Sequence, residues 1–179
     1  IVKDGDNSSL SSTLLQDLGS VDMGDWRQLA EFGKWAKANY PAKKYMLIGW
    51  NHGSGWEKNL DLFPTVKGIS YDDESGNHIS TPQLAQAIGE MGGVDIYASD
   101  ACLMQMAEVA YELKDGAAVI VGAEEVIQLP SLNWEGFFAA LAANPAAGPE
   151  AAGTWLVEEL RAAADSLKAV LRRSPSVAR

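Results

Sequence analysis

The sequence predicts an α/β domain built on a mostly parallel sheet. Three short, predominantly apolar runs carry that prediction: Tyr45-Met46-Leu47-Ile48-Gly49-Trp50, Val94-Asp95-Ile96-Tyr97-Ala98-Ser99 and Ala117-Ala118-Val119-Ile120-Val121-Gly122. Such runs suit strands buried on both faces, which is typical of a parallel sheet covered by helices. Around them lie segments with apolar residues every three or four positions, the mark of amphipathic helices. Strands alternating with helices give parallel pairing through helical crossovers.

The elements follow in order. Residues 1–20 are rich in Ser, Asp and Gly and read as a loop with an edge strand. Asp4, Asp6 and Ser8 have the spacing of a calcium loop, but Ser9 replaces the turn glycine and Leu15 the bidentate Glu, which argues against an EF-hand. A first helix starts at Asp25, with Trp26, Leu29, Ala30, Gly33, Ala36 and Tyr40 on one stripe. Asp25 with Gln28 reads as a capping box, and Pro41 ends the helix. Residues 57–80 are polar and broken by Pro64, Gly68 and Gly76. Thr81-Pro82 then reads as a cap with proline in the first turn, opening a helix through Leu84, Ala87, Ile88 and Met91 that stops at Gly92-Gly93. A third helix is expected from Leu103 to Leu113, directly after the second strand, and two more at 133–143 and 150–171. No internal repeat is visible. The whole chain, 1–179, reads as one domain with a C-terminal tail from about 172.

Bulk properties narrow the function. Hydrophobic residues make up 47% of the chain and charged residues 21%, as in a soluble globular protein. A net charge of −10 argues against a nucleic-acid surface, which needs clustered Lys and Arg. No apolar run approaches the length of a membrane span. The chain starts at Ile1 and shows no signal peptide, which reads as a processed chain or a piece of a longer protein. One cysteine excludes an intrachain disulfide.

Two segments carry chemistry. Trp50-Asn51-His52-Gly53-Ser54-Gly55-Trp56 and Ser99-Asp100-Ala101-Cys102-Leu103 each follow a predicted strand. In a parallel sheet both emerge at the carboxyl-end edge, where open α/β proteins place their sites. There a thiol and an imidazole from neighbouring strands can meet, Cys102 as nucleophile and His52 as proton carrier. The helix expected to follow Cys102 would favour its thiolate. The backbone amides of Gly53 and Cys102 could form an oxyanion hole.

These two motifs resemble the clostripain family of bacterial cysteine peptidases, which is related in fold to caspases, gingipains and legumain. The separation of His52 from Cys102, 50 residues, is close to the roughly 50 of caspases. The resemblance extends from about Asp17 to about Trp134 and includes the stretch from Asp17 to Asp25 before the first helix. It implies a caspase-like three-layer α/β/α sandwich. It also implies a Cys102–His52 dyad, with Gly53 and Cys102 as oxyanion donors and Asp100 at the base of the primary specificity pocket, hence cleavage after Arg or Lys. Self-cleavage between His and Cys is frequent in the family, and Lys67 is the expected processing site, with Lys58 a second candidate. No organic cofactor is required for the chemistry. Calcium dependence is known in the family, and the acidic loop 72–78 could bind calcium weakly. The partners implied are basic-residue-containing peptides or proteins, and the place is outside the cell or in the bacterial envelope. The family's first strand and helix are expected to precede Ile1, so this chain would lack its N-terminal strand.

Blander readings stand beside these. Cys102 could be a structural thiol, His52 a loop histidine and Asp100 a helix N-cap. His78 reads as a solvated loop residue, since two histidines and one cysteine are few for a zinc site. Trp26, Trp35, Trp134 and Trp155 read as core packing, whereas Trp50 and Trp56 flank the histidine loop. The alternative function is a non-catalytic, peptidase-like binding module.

Overall fold

A computed structural model describes residues 12–56, 68–127 and 132–173. Its elements are α1 (Trp26–Asn39), β1 (Met46–Trp50), α2 (Thr81–Glu90), β2 (Val94–Asp100), α3 (Ala107–Leu113), β3 (Ala117–Val121), α4 (Trp134–Ala143) and α5 (Pro149–Arg173). All three predicted strands are present, within a residue or so of the expected ends.

The sheet has the order β1-β2-β3 with both pairs parallel. Side chains alternate between its faces, as the period of two requires. Tyr97 points into a core with Trp26, Ala30, Leu84, Ile88, Val109 and Leu113. Ile96 and Ala98 point the other way, to Val121, Phe137, Ala152 and Leu156. Thus α1, α2 and α3 cover one face and α4 and α5 the other, giving three layers. Leu84, Ile88, Leu113, Phe137 and Leu156 are essentially fully buried. Each such side chain contributes about 1.5–3 kcal/mol of apolar burial.

Burial on both faces holds for β2 from Ile96 to Asp100 but not for β1. Ile48 is 37% and Trp50 75% exposed, because α5 packs on β3 and β2. The caps also differ from expectation. Asp25 caps α1 by accepting the Arg27 N–H, not through a box with Gln28. At α2 the capping residue is Ser80, whose N–H and Oγ both donate to Gln83 Oε1. Thr81 instead turns inward, fully buried, and donates its hydroxyl to the Gly55 carbonyl.

Two further departures shape the site. Within the stretch expected to be irregular, Ile69 pairs antiparallel with both Gly53 and Ile79, forming a small ladder behind the histidine loop. The third helix starts at Ala107, not Leu103. Between them the N–H groups of Leu103 and Gln105 donate to the carbonyls of Glu125 and Ala123. Leu103 adopts φ +63°, a left-handed conformation that cannot begin a right-handed helix.

Candidate active site

The β1–β2 register builds the site. Trp50 lies opposite Asp100 at the carboxyl ends of the two strands. His52 and Cys102 each follow two residues later, so the parallel ladder delivers them to one edge of the sheet. The two loops also lie close at Gly53. A Cβ built on Gly53 would stand 2.5 Å from the carbonyl oxygen of Cys102 and 3.0 Å from Ala101 Cβ. Only a residue without a side chain lets the histidine loop lie that close to the cysteine loop.

Several bonds hold the histidine loop. Asn51 Oδ1 accepts the His52 N–H at 2.7 Å and the Tyr71 N–H at 3.1 Å. Ser54 is 1% exposed; its N–H donates to the Gly68 carbonyl, and its Oγ accepts the Gly68 N–H. The Ser54 and Tyr71 hydroxyls share a 2.7 Å bond. Burial pushes the Tyr71 hydroxyl above its ordinary pKa, with the Ser54 bond pulling the other way. Tyr71 also stacks on His78 at 5.5 Å, so His78 is part of this support. Gly55, at φ +58°, packs against Leu103 and Met106. His52 itself is exposed at the rim.

Cys102 is half-buried, and its Sγ accepts the Ile127 N–H at 3.3 Å. The expected helix start behind Cys102 is absent, which removes the helix-dipole argument for its thiolate. The backbone amide that meets Sγ comes instead from the connection after β3. Among the described residues, neither the Gly53 nor the Cys102 amide has a hydrogen-bond partner.

Asp100 is 5% exposed, and its Oδ2 accepts the indole N–H of Trp134 at 2.9 Å. It is not a helix N-cap, since α3 begins seven residues later. Among the described residues no Lys or Arg pairs with it. The packing role expected for Trp134 is therefore incomplete. Sequence reasoning missed its bond to Asp100 because no local spacing links positions 34 residues apart.

Other candidates lie elsewhere. Lys67 and Lys58 fall outside the described residues. In the acidic loop, Asp72 accepts N–H groups from Met23, Glu74 and Ser75, while Asp22 accepts from Gly24, Ser75 and Asn77. These bonds hold both carboxyls below their ordinary pKa, with the Asn77 amide the main cause at Asp22 and the Ser75 N–H at Asp72. Asp22 and Asp72 thus serve as hydrogen-bond acceptors that tie this loop to the segment before α1. Among the described residues no group of three or more His, Cys, Asp or Glu could hold a metal. An apolar cavity of about 350 Å³ opens beside β1, lined by Leu29, Phe32, Leu47, Ile69 and Tyr97. Among the described residues its lining includes neither His52 nor Cys102 and no charged side chain.

Comparison with known proteins agrees with this geometry. A sequence profile of the clostripain family matches residues 2–178. Clostripain of Hathewaya histolytica is 32% identical over 130 residues, covering 66% of this chain and 24% of that protein. A secreted C11 cysteine protease from Bacteroides thetaiotaomicron, solved with an irreversible peptide inhibitor, aligns at TM-score 0.62 and 27% identity, over 76% of this chain and 36% of that one. An inactive zymogen C11 protease from Parabacteroides distasonis has the same fold, at TM-score 0.61 and 24% identity over 80% of this chain and 37% of that one. The chain thus spans about a quarter of clostripain's length. With its paired His and Cys motifs on adjacent parallel strands, and the family profile matched over nearly all its length, the chain belongs to the clostripain family of cysteine peptidases.

Proposed function

We propose that this chain is the catalytic domain of a cysteine endopeptidase that cleaves after Lys or Arg. The observation that carries the reading is the β1–β2 register, which sets His52 and Cys102 at one sheet edge with Gly53 against the Cys102 carbonyl. In the reaction, the Cys102 thiolate attacks the scissile carbonyl, and the oxyanion forms against the Gly53 and Cys102 amides. His52 protonates the departing amine as the C–N bond breaks, leaving a thioester. It then takes a proton from water, which attacks the thioester and returns the thiol. The Ile127 N–H, donated to Sγ at 3.3 Å, holds the nucleophile in place.

Asp100 supports the basic preference. A buried carboxylate with a neutral indole as its bonded partner leaves most of its charge uncompensated. A Lys or Arg side chain of the substrate supplies the missing cation, and neutral side chains do not. Self-cleavage after Lys67 belongs to the same proposal, since that residue precedes Gly68 in the segment joining His52 to Cys102. Export from the cell is carried over from the secreted Bacteroides thetaiotaomicron relative. No described helix is long and apolar enough to cross a membrane.

The test is hydrolysis of fluorogenic peptides ending in Arg, Lys, Asp or Leu by the parent protein, with Cys102→Ala as control. Cleavage after Arg or Lys that disappears in the variant is the expected result. Cleavage after Asp or Leu would keep the nucleophile and overturn the role of Asp100. No cleavage under reducing conditions, with calcium supplied, would favour a binding module.

A further inference from the structure

After β3 the chain meets the site twice. The Ile127 N–H meets Cys102 Sγ, and Trp134, at the start of α4, donates its indole N–H to Asp100. Trp134 is the first residue of α4 and is held on several sides. Phe137 meets it edge-on and Phe138 stacks on it, both with ring centres 6.0 Å away. The preceding Asn133 caps α4 by accepting the Gly136 N–H and donates its amide to Glu159 of α5 at 2.6 Å. Phe137, 0% exposed, seats the helix in the core between sheet and α5. The indole N–H is therefore fixed in position by α4 and α5 and aimed at a carboxylate on β2.

We infer that Trp134 is a specificity-positioning residue, fixing the Asp100 carboxylate so that it can pair with the basic side chain of the substrate. This rests on the reading of Asp100 as the group that recognises Lys or Arg. Asp100 ends a strand, and its two side-chain torsions would otherwise allow the carboxylate several directions. One donor on Oδ2 selects among them and leaves Oδ1 and the second lone pair of Oδ2 for an incoming ammonium or guanidinium. A neutral donor suits this task. A Lys or Arg in its place would neutralise the carboxylate and remove its attraction for substrate.

The experiment compares Trp134→Phe, Asp100→Asn and the double variant of the full-length parent. It uses otherwise identical peptide aminomethylcoumarins with Lys, Arg or norleucine before the scissile bond. Trp134→Phe keeps a ring for Phe137 and Phe138 but has no N–H to donate. Its kcat/KM for the Lys and Arg substrates should fall about tenfold, mainly through KM, as expected for loss of a hydrogen bond to a charged group. The norleucine rate and the alkylation rate of Cys102 by iodoacetamide should hold within about twofold. Asp100→Asn should abolish the preference for Lys and Arg over norleucine, and Trp134→Phe should then change it no further. Equal losses on all three substrates would mean a merely structural role and overturn the inference. So would an unchanged ratio in Trp134→Phe when Asp100→Asn has lost the preference. If Asp100→Asn keeps the preference, the reading of Asp100 fails first and the inference falls with it.

Discussion

At Gly53 one methyl group decides whether the site can assemble, since its Cβ would overlap the Cys102 carbonyl at 2.5 Å and Met104 Cγ at 2.9 Å. Tyr97 poses a different residue-scale problem. Its hydroxyl is buried, and among the described residues it has no hydrogen-bond partner. A buried unsatisfied hydroxyl costs about 1–3 kcal/mol, so Tyr97→Phe should leave stability unchanged or raise it by about 1 kcal/mol. Burial also drives the Tyr97 pKa upward in the folded state. Below about pH 10 the phenol is neutral in both states and that contribution is fully present. As pH rises past about 10 the unfolded chain ionises first, and stability falls. Urea midpoints at about pH 8 and about pH 11 should therefore separate the wild type, which loses more, from Tyr97→Phe. An equal loss in both would remove Tyr97 as the cause.

At the scale of elements, the ladder of Gly53, Ile69 and Ile79 carries the histidine loop. Ser54→Ala takes away the acceptor of the Gly68 N–H and the partner of the Tyr71 hydroxyl. It should lower stability by about 1–3 kcal/mol in urea unfolding and lower kcat, by loosening the loop that holds His52. A loss below about 0.5 kcal/mol with unchanged kcat would show that the ladder holds the loop without Ser54. This ladder was not legible in the sequence, because Ile69 and Ile79 are single apolar residues in a polar stretch with no period to read. The strands were legible as short apolar runs and the long helices through their 3.6-residue period. The start of α3 misled for a local reason: helical composition from Leu103 onward is overridden by bonds from Leu103 and Gln105 to the 123–125 segment. His52 and Cys102 were legible as candidates because each lies just past a strand end, whereas Asp100 was singled out through the family resemblance. Trp134 was not, since it reaches Asp100 only through the packing of α4 on α5.

At the scale of the whole molecule, the three layers divide the labour. The α1–α3 face supports the histidine loop through Ile69 and Ile79, and the α4–α5 face supplies the partner of Asp100. The net charge of −10 adds a long-range attraction for basic peptides. The paired bonds between Ser54 and Gly68 carry one more implication. They fasten Ser54 to Gly68, on either side of the stretch 57–67 in which Lys67 lies, as a clasp joins a bracelet. Severing the backbone there would leave two polypeptides still joined through the β1–β2 ladder and this clasp. The cut protein should migrate as two bands on a denaturing gel yet elute as one species, at the uncut size, from a gel-filtration column. Separation of the pieces without denaturant would mean that the clasp does not hold.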